Sequence, residues 1–91
     1  METKFLAAWQ KNREAAQNLG VRLRPQALTM ELAYRQLSGH RESDGFGALA
    51  QKGRLDLSLE ALAVKKPYTQ LFSDEQANTA LLRLLDADYS F

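Results

Sequence analysis

The chain has 91 residues, of which 45% are hydrophobic and 25% charged, and its formal net charge is +1. This length and this ordinary globular composition predict a single domain over residues 1–91, and they exclude large-scale disorder. Cysteine is absent, which excludes disulfides, thiolate metal sites and thiol nucleophiles.

A first helix is predicted over residues 3–19, because large apolar residues recur there at helical spacing. Phe5 and Trp9 lie on this apolar stripe, and Gly20 suits the position just after the helix end. Trp9 is the largest apolar group of the helix and is expected to anchor the core. Arg13 lies off the stripe, so we expect it to be solvated.

A second helix is predicted over residues 25–38, since proline at Pro25 suits the first turn of a helix. A polar loop follows, and Ser43 is placed to cap a short third helix over residues 44–52. Gly53 then suits the position after that helix.

The segment around residues 53–68 allows two interpretations. Its first part alternates apolar and polar residues like a strand, but the alternation stops at Glu60. Asp56 can cap a helix and Pro67 can end one, so a fourth helix over residues 57–65 is favoured. Such a helix is apolar on nearly all sides, and therefore lies in the core or is shared with another chain.

The last helix is the best-marked element. Ser73 and Gln76 form a capping-box pattern at its start, and the helix is expected to fray near Asp86. Leu82 lies outside the predicted inner face, which consists of Ala77, Ala80, Leu81, Leu84 and Leu85. The C-terminal residues 89–91 are expected to dock on the core. These elements together predict an all-α fold, a compact bundle of four to five short helices.

The sequence contains no strong catalytic motif. His40 is the only histidine, and it shares a loop with Glu42 and Asp44. These three side chains alternate and could contact one metal ion, but a solvated loop is the favoured interpretation, because no second histidine is present. We therefore predict a non-enzymatic protein with no cofactor and no metal.

The expected location is the cytoplasm. No apolar run is long enough to cross a bilayer, and the N-terminus lacks the apolar region of a signal peptide. The absence of cysteine fits a reducing compartment. We accordingly expect no membrane partner.

The favoured function is a protein-interaction or regulatory module. So small a chain cannot cover all its large apolar side chains with ease, and the remainder would bind a protein partner or a second copy in a homodimer. The predicted interface draws on the first and fourth helices and consists of Leu6, Trp9, Leu57, Leu59 and Leu62.

The alternative is a nucleic-acid-binding regulator that uses the basic N-terminal half. Residues 1–54 carry nine Lys/Arg and five Asp/Glu, whereas residues 55–91 carry three and six. Attraction between the two halves is the favoured explanation of this asymmetry, because the excess of positive charge is modest, so nucleic acid is the less favoured partner. The candidate contacts are Arg13, Arg22, Arg24, Arg35 and Arg41.

Overall fold

The computed structural model describes residues 1–89, and this part of the chain contains five α-helices and no β-strand. The helices are α1 (Glu2–Asn18), α2 (Met30–Ser38), α3 (Phe46–Gln51), α4 (Leu59–Ala63) and α5 (Asp74–Asp86). Short 3-10 turns lie at Leu55–Leu57 and Tyr68–Leu71. The predicted all-α fold class is confirmed.

Helix α2 begins at Met30 rather than at Pro25, so the predicted start was wrong. The hydroxyl of Thr29 accepts a hydrogen bond from the Leu32 N–H at 3.1 Å and caps the helix there. Residues 21–29 have no helical structure. Because Thr29 caps the helix, a proline in the first turn is not required, and residues 21–29 form an irregular connector.

The starts of α3 and α4 also differ from prediction. Ser43 does not cap α3, because both its N–H and its hydroxyl donate to Glu60. Helix α4 is capped by Ser58, whose hydroxyl accepts from the Ala61 N–H at 3.1 Å, and not by Asp56. The segment is helical as predicted, but it is divided into a 3-10 turn and a short α-helix.

An aromatic cluster occupies one half of the core. The ring of Phe5 meets Tyr68 and Phe72 edge to face, with centroids 5.4 and 5.2 Å apart, and Phe72 meets Tyr34 in the same way at 5.7 Å. Each such pair contributes about 0.5–1.5 kcal/mol beyond the burial of its area. These contacts join α1, α2 and the 68–72 connector.

A second, mainly aliphatic cluster occupies the other half. It is built around Phe46 and Leu49 of α3 and Leu84 of α5, and the partly buried Tyr89 packs against it. All five residues of α4 are buried; Leu59, Leu62 and Ala63 belong to the aromatic cluster and Ala61 to the aliphatic one. Helix α4 is therefore central to the core, which is one of the two predicted alternatives; the other was a position shared with another chain. The other tail residues, Ser90 and Phe91, lie outside the described residues.

Helix α5 is rotated relative to its predicted orientation. The capping box of Ser73 and Gln76 is present as predicted. Ala80 and Leu84 are buried, but Leu81 and Leu85 are exposed, so the inner-face prediction was wrong for these two leucines. The rotation turns Arg83 inward, toward Glu60.

Candidate functional site

A buried carboxylate joins α4 to α5 and to the loop between α2 and α3. Glu60 is fully buried in α4. Its Oε2 atom accepts from the Ser43 N–H at 2.8 Å and from Arg83 Nη1 at 3.0 Å, and its Oε1 atom accepts from the Ser43 hydroxyl. Both carboxylate oxygens are thus engaged, and the charge is paired. Such a group is suited to a structural role rather than to proton transfer.

Arg83 extends this network to the end of α2. Its Nη1 atom also donates to the carbonyl of Gln36 at 2.9 Å, and its Nη2 atom donates to the carbonyl of Gly39 at 2.8 Å. Carbonyls at a helix C-terminus have no partner within the helix, so a cation is favoured there. One guanidinium therefore ties α5 to α4, to α2 and to the loop that follows α2.

The rotation of α5 leaves Leu81, Leu82 and Leu85 on the outer side of the helix. We call these three residues the leucine face. These residues are 37, 59 and 50% exposed, respectively. At 100° per residue, the three positions fall within an arc of about 100°, so they form one continuous patch. The exposed acidic residues that flank the patch are Asp74, Glu75, Asp86 and Asp88.

A second surface feature is a basic depression of about 470 Å³, which we call the arginine groove. It lies between the irregular segment before α2, α2 itself and the loop that follows. Its residues are Arg24, Gln26, Leu32, Arg35, Gln36, Arg41, Glu42, Ser43, Asp44 and Gly45. A neighbouring depression of about 380 Å³ shares Arg35, Gln36, Arg41 and Glu42, and adds Gly39 and His40.

The three arginines of this groove have no acidic partner among the described residues. Within residues 1–89, no carboxylate lies within salt-bridge distance of the Arg24, Arg35 or Arg41 guanidinium. Asp44 is already engaged, since its Oδ2 atom accepts from the Arg24 backbone N–H at 2.8 Å and lies 3.7 Å from Arg13 Nη1. The groove therefore presents three cationic groups to solvent.

The residues predicted as a protein interface do not form an exposed surface. Trp9, Leu59 and Leu62 are no more than 3% exposed and lie in the aromatic half of the core. Leu6 and Leu57 are half-buried and pack against the two core clusters. Helix α4 is enclosed by the chain's own elements, which explains why these side chains are covered.

The residues predicted for nucleic-acid binding divide into three groups. Arg13 is buried, contrary to the predicted solvent exposure, because its Nη2 atom donates to the Arg24 carbonyl at 2.6 Å. Arg22 is exposed but does not line the arginine groove. The remaining three candidates, Arg24, Arg35 and Arg41, converge on that groove from different parts of the sequence.

Residues 1–89 contain neither a metal-binding group nor a membrane-spanning helix. No group of three His, Asp or Glu side chains there is close enough to hold a metal ion, including the loop with His40. None of the helices in this range has both the length and the apolar composition that a bilayer span requires.

Comparison of the chain with protein-family models, with curated proteins and with solved structures found no significant match.

Proposed function

We propose that this protein is a protein-interaction module whose leucine face binds an amphipathic helix with basic flanks. The single observation that carries the proposal is the exposure of Leu81, Leu82 and Leu85 side by side on α5. Scattered exposed leucines are ordinary, but a continuous apolar patch with a polar rim is typical of an interaction site.

The energetic argument follows from the area that a partner would cover. Complete burial of a leucine side chain stabilises by roughly 1.5–3 kcal/mol. All three leucines are partly exposed, so a partner that covers them would gain the fraction of this free energy that folding leaves unused. The patch follows one side of a helix of 13 residues, which suits a second helix lying along it. A helix with an apolar stripe therefore fits the patch in both shape and chemistry.

The charges around the patch select the partner. Asp74 and Glu75 lie at the start of α5, and Asp86 and Asp88 lie at its end, whereas the only basic residue of the helix, Arg83, is turned inward. Two copies packed through this face would bring acids against acids whether their helices ran parallel or antiparallel. A partner with Lys or Arg beside its apolar stripe would instead be attracted.

The test uses two synthetic amphipathic peptides that share one leucine stripe and carry either lysine or glutamate flanks. Binding to the intact chain is measured by fluorescence anisotropy. We expect the lysine peptide to bind, and Leu82→Gln to weaken it at least about tenfold, as loss of a central apolar contact does. Leu19→Gln is the matched control, because Leu19 is exposed but lies at the end of α1.

Three other outcomes would overturn the proposal. Equal weakening by both substitutions would show that the leucine face is not the site. Tighter binding of the glutamate peptide would contradict the charge argument. Self-association across a concentration series in analytical ultracentrifugation, abolished by Leu82→Gln, would identify a second copy as the occupant.

A further inference from the structure

The arginine groove brings together cationic side chains from three separate segments. Arg24 comes from the irregular segment before α2, Arg35 from α2 and Arg41 from the loop after α2. We propose that this groove binds the phosphate backbone of a nucleic acid without reading its bases. The site is separate from the leucine face and does not depend on the function proposed for it.

The backbone that carries these arginines is held in place. The N–H of Arg24 donates to Asp44 at 2.8 Å, and its carbonyl accepts from Arg13 at 2.6 Å. The loop that carries Arg41 is tied down at Gly39 by Arg83 and at Ser43 by Glu60. The groove is thus formed by the fold itself, while the three guanidinium groups remain available for a ligand.

An anionic ligand follows from the charges of the lining. Asp44 is matched by Arg13 and by a backbone N–H, and Glu42 is the only other acid among the described residues that line the groove. The amides of Gln26 and Gln36 add donors that phosphate oxygens accept. Arginine presents a planar fork that suits phosphate particularly well, because two N–H groups can bond one phosphate together.

A polymer is favoured over a free phosphate because the basic surface extends over two adjoining depressions. The 470 Å³ groove and the 380 Å³ depression share Arg35 and Arg41, so the cations border a track that continues from one into the other. A single phosphate would occupy only part of this track. Successive phosphates of one strand can contact several of the arginines at once.

The lining also indicates that the bases are not read. In the described part of the chain, no aromatic side chain lines the arginine groove, and the neighbouring depression has only the imidazole of His40. Binding of unpaired bases relies on stacking against such rings, so this groove lacks the means to hold them. Contact with the backbone alone makes binding insensitive to sequence and sensitive to salt.

The experiment measures fluorescence anisotropy of labelled 20-nucleotide single strands and 20-base-pair duplexes of two unrelated sequences. With three phosphates contacted, the affinity is expected to fall roughly 20- to 40-fold between 50 and 200 mM salt. The variant Arg35→Gln/Arg41→Gln should weaken binding and reduce the slope of log affinity against log salt by about two. The control Lys11→Gln/Arg22→Gln loses the same charge outside the groove and should leave that slope unchanged.

The competing ligands are tested on the same samples. Equal losses in both double variants would overturn the proposal, since binding would then follow net charge alone. Displacement of the labelled strand by pyrophosphate at equal phosphate concentration would show a small-anion site, and stronger binding of polyglutamate would show an acidic-peptide site. Absence of salt-sensitive binding would also overturn it. Leu82→Gln should leave nucleic-acid binding unchanged, which separates this site from the leucine face.

Discussion

The guanidinium of Arg83 on α5 lies 3.0 Å from the carboxylate of Glu60 on α4, and that carboxylate has no contact with solvent. An ion pair in such a place is strongly coupled to the fold, because removal of one partner leaves the other charge buried without compensation. The same pair also sets the rotation of α5, and so it determines which leucines of that helix face solvent.

Arg83→Met should destabilise the protein by about 3–5 kcal/mol, because it leaves the Glu60 carboxylate charged and unpaired in the core. The measurement is urea unfolding followed by circular dichroism. The double variant Glu60→Gln/Arg83→Met should be more stable than Arg83→Met alone, since glutamine keeps an acceptor for the Ser43 N–H but carries no charge. Losses that simply add in the double variant would contradict a coupled pair.

Two adjacent leucines of α5 should differ sharply in their contribution to stability. Leu84 is completely buried, so Leu84→Ala should cost about 2–5 kcal/mol, the usual range for a truncated core leucine. Leu85 is half exposed, and Leu85→Ala should change stability by no more than about 0.5 kcal/mol. Thermal unfolding of both variants measures the difference. Similar losses would mean that α5 is oriented as the sequence alone suggested.

Three glycine-to-alanine changes form a graded series. Gly45 has φ of +82°, and a Cβ there would lie 2.5 Å from Leu23 Cδ2, so Gly45→Ala combines backbone strain with a clash. Gly53 has φ of +68° but open space around it, and its substitution brings strain alone. A Cβ added at Gly47, in α3, would meet no side chain of the described residues within 4 Å, so Gly47→Ala should stabilise the helix by up to about 1 kcal/mol. Urea midpoints should rank the variants in this order of increasing stability.

Acid titration should reveal the exposed pair formed by Arg54 and Asp56. The hydrogen bond from the Arg54 side chain, with Nε and Nη2 at 3.0 and 3.1 Å, lowers the pKa of the Asp56 carboxyl below its usual value of 3.8. A lowered pKa in the folded state means that the pair favours folding above that usual value. Its contribution is lost as the pH falls through the folded-state pKa.

The corresponding variant is Arg54→Ala, which should raise the pKa of Asp56 toward 3.8, as followed by NMR titration of the carboxyl carbon. Both side chains are 45% exposed, so solvent screens the interaction and the effect on overall stability should be small. A carboxyl pKa that does not change in the variant would show that the hydrogen bond is absent in solution.

The elements that depend on local patterns could be predicted from the sequence. The capping box of Ser73 and Gln76 involves neighbours in the chain, and the apolar spacing of Phe5 and Trp9 marks the buried side of α1. The orientation of α5 could not be predicted, because it depends on Arg83 meeting Glu60, which lies 23 residues away. A charged residue in an apolar helix gives no sign of whether it will find a buried partner.

The candidate sites were predictable to different degrees. Arg24, Arg35 and Arg41 were recognised as candidates from charge alone, but their convergence depends on the path of residues 21–29. Arg13 was a candidate for nucleic-acid binding on the same grounds. Its contacts with the Arg24 carbonyl and with Asp44, which bury it, join distant parts of the sequence and could not be predicted. One feature of the sequence pointed to the leucine face. Leu81, Leu82, Leu84 and Leu85 spread over a wider part of the helix surface than one buried side can cover.

The central position of α4 has a consequence for how the protein opens. Because its four apolar residues are divided between the two halves of the core, neither half can separate without exposing this helix. The two halves should therefore melt together in one cooperative transition. The backbone amide of Leu62, which donates to the Ser58 carbonyl at 3.2 Å, should accordingly be among the last to exchange its proton with heavy water.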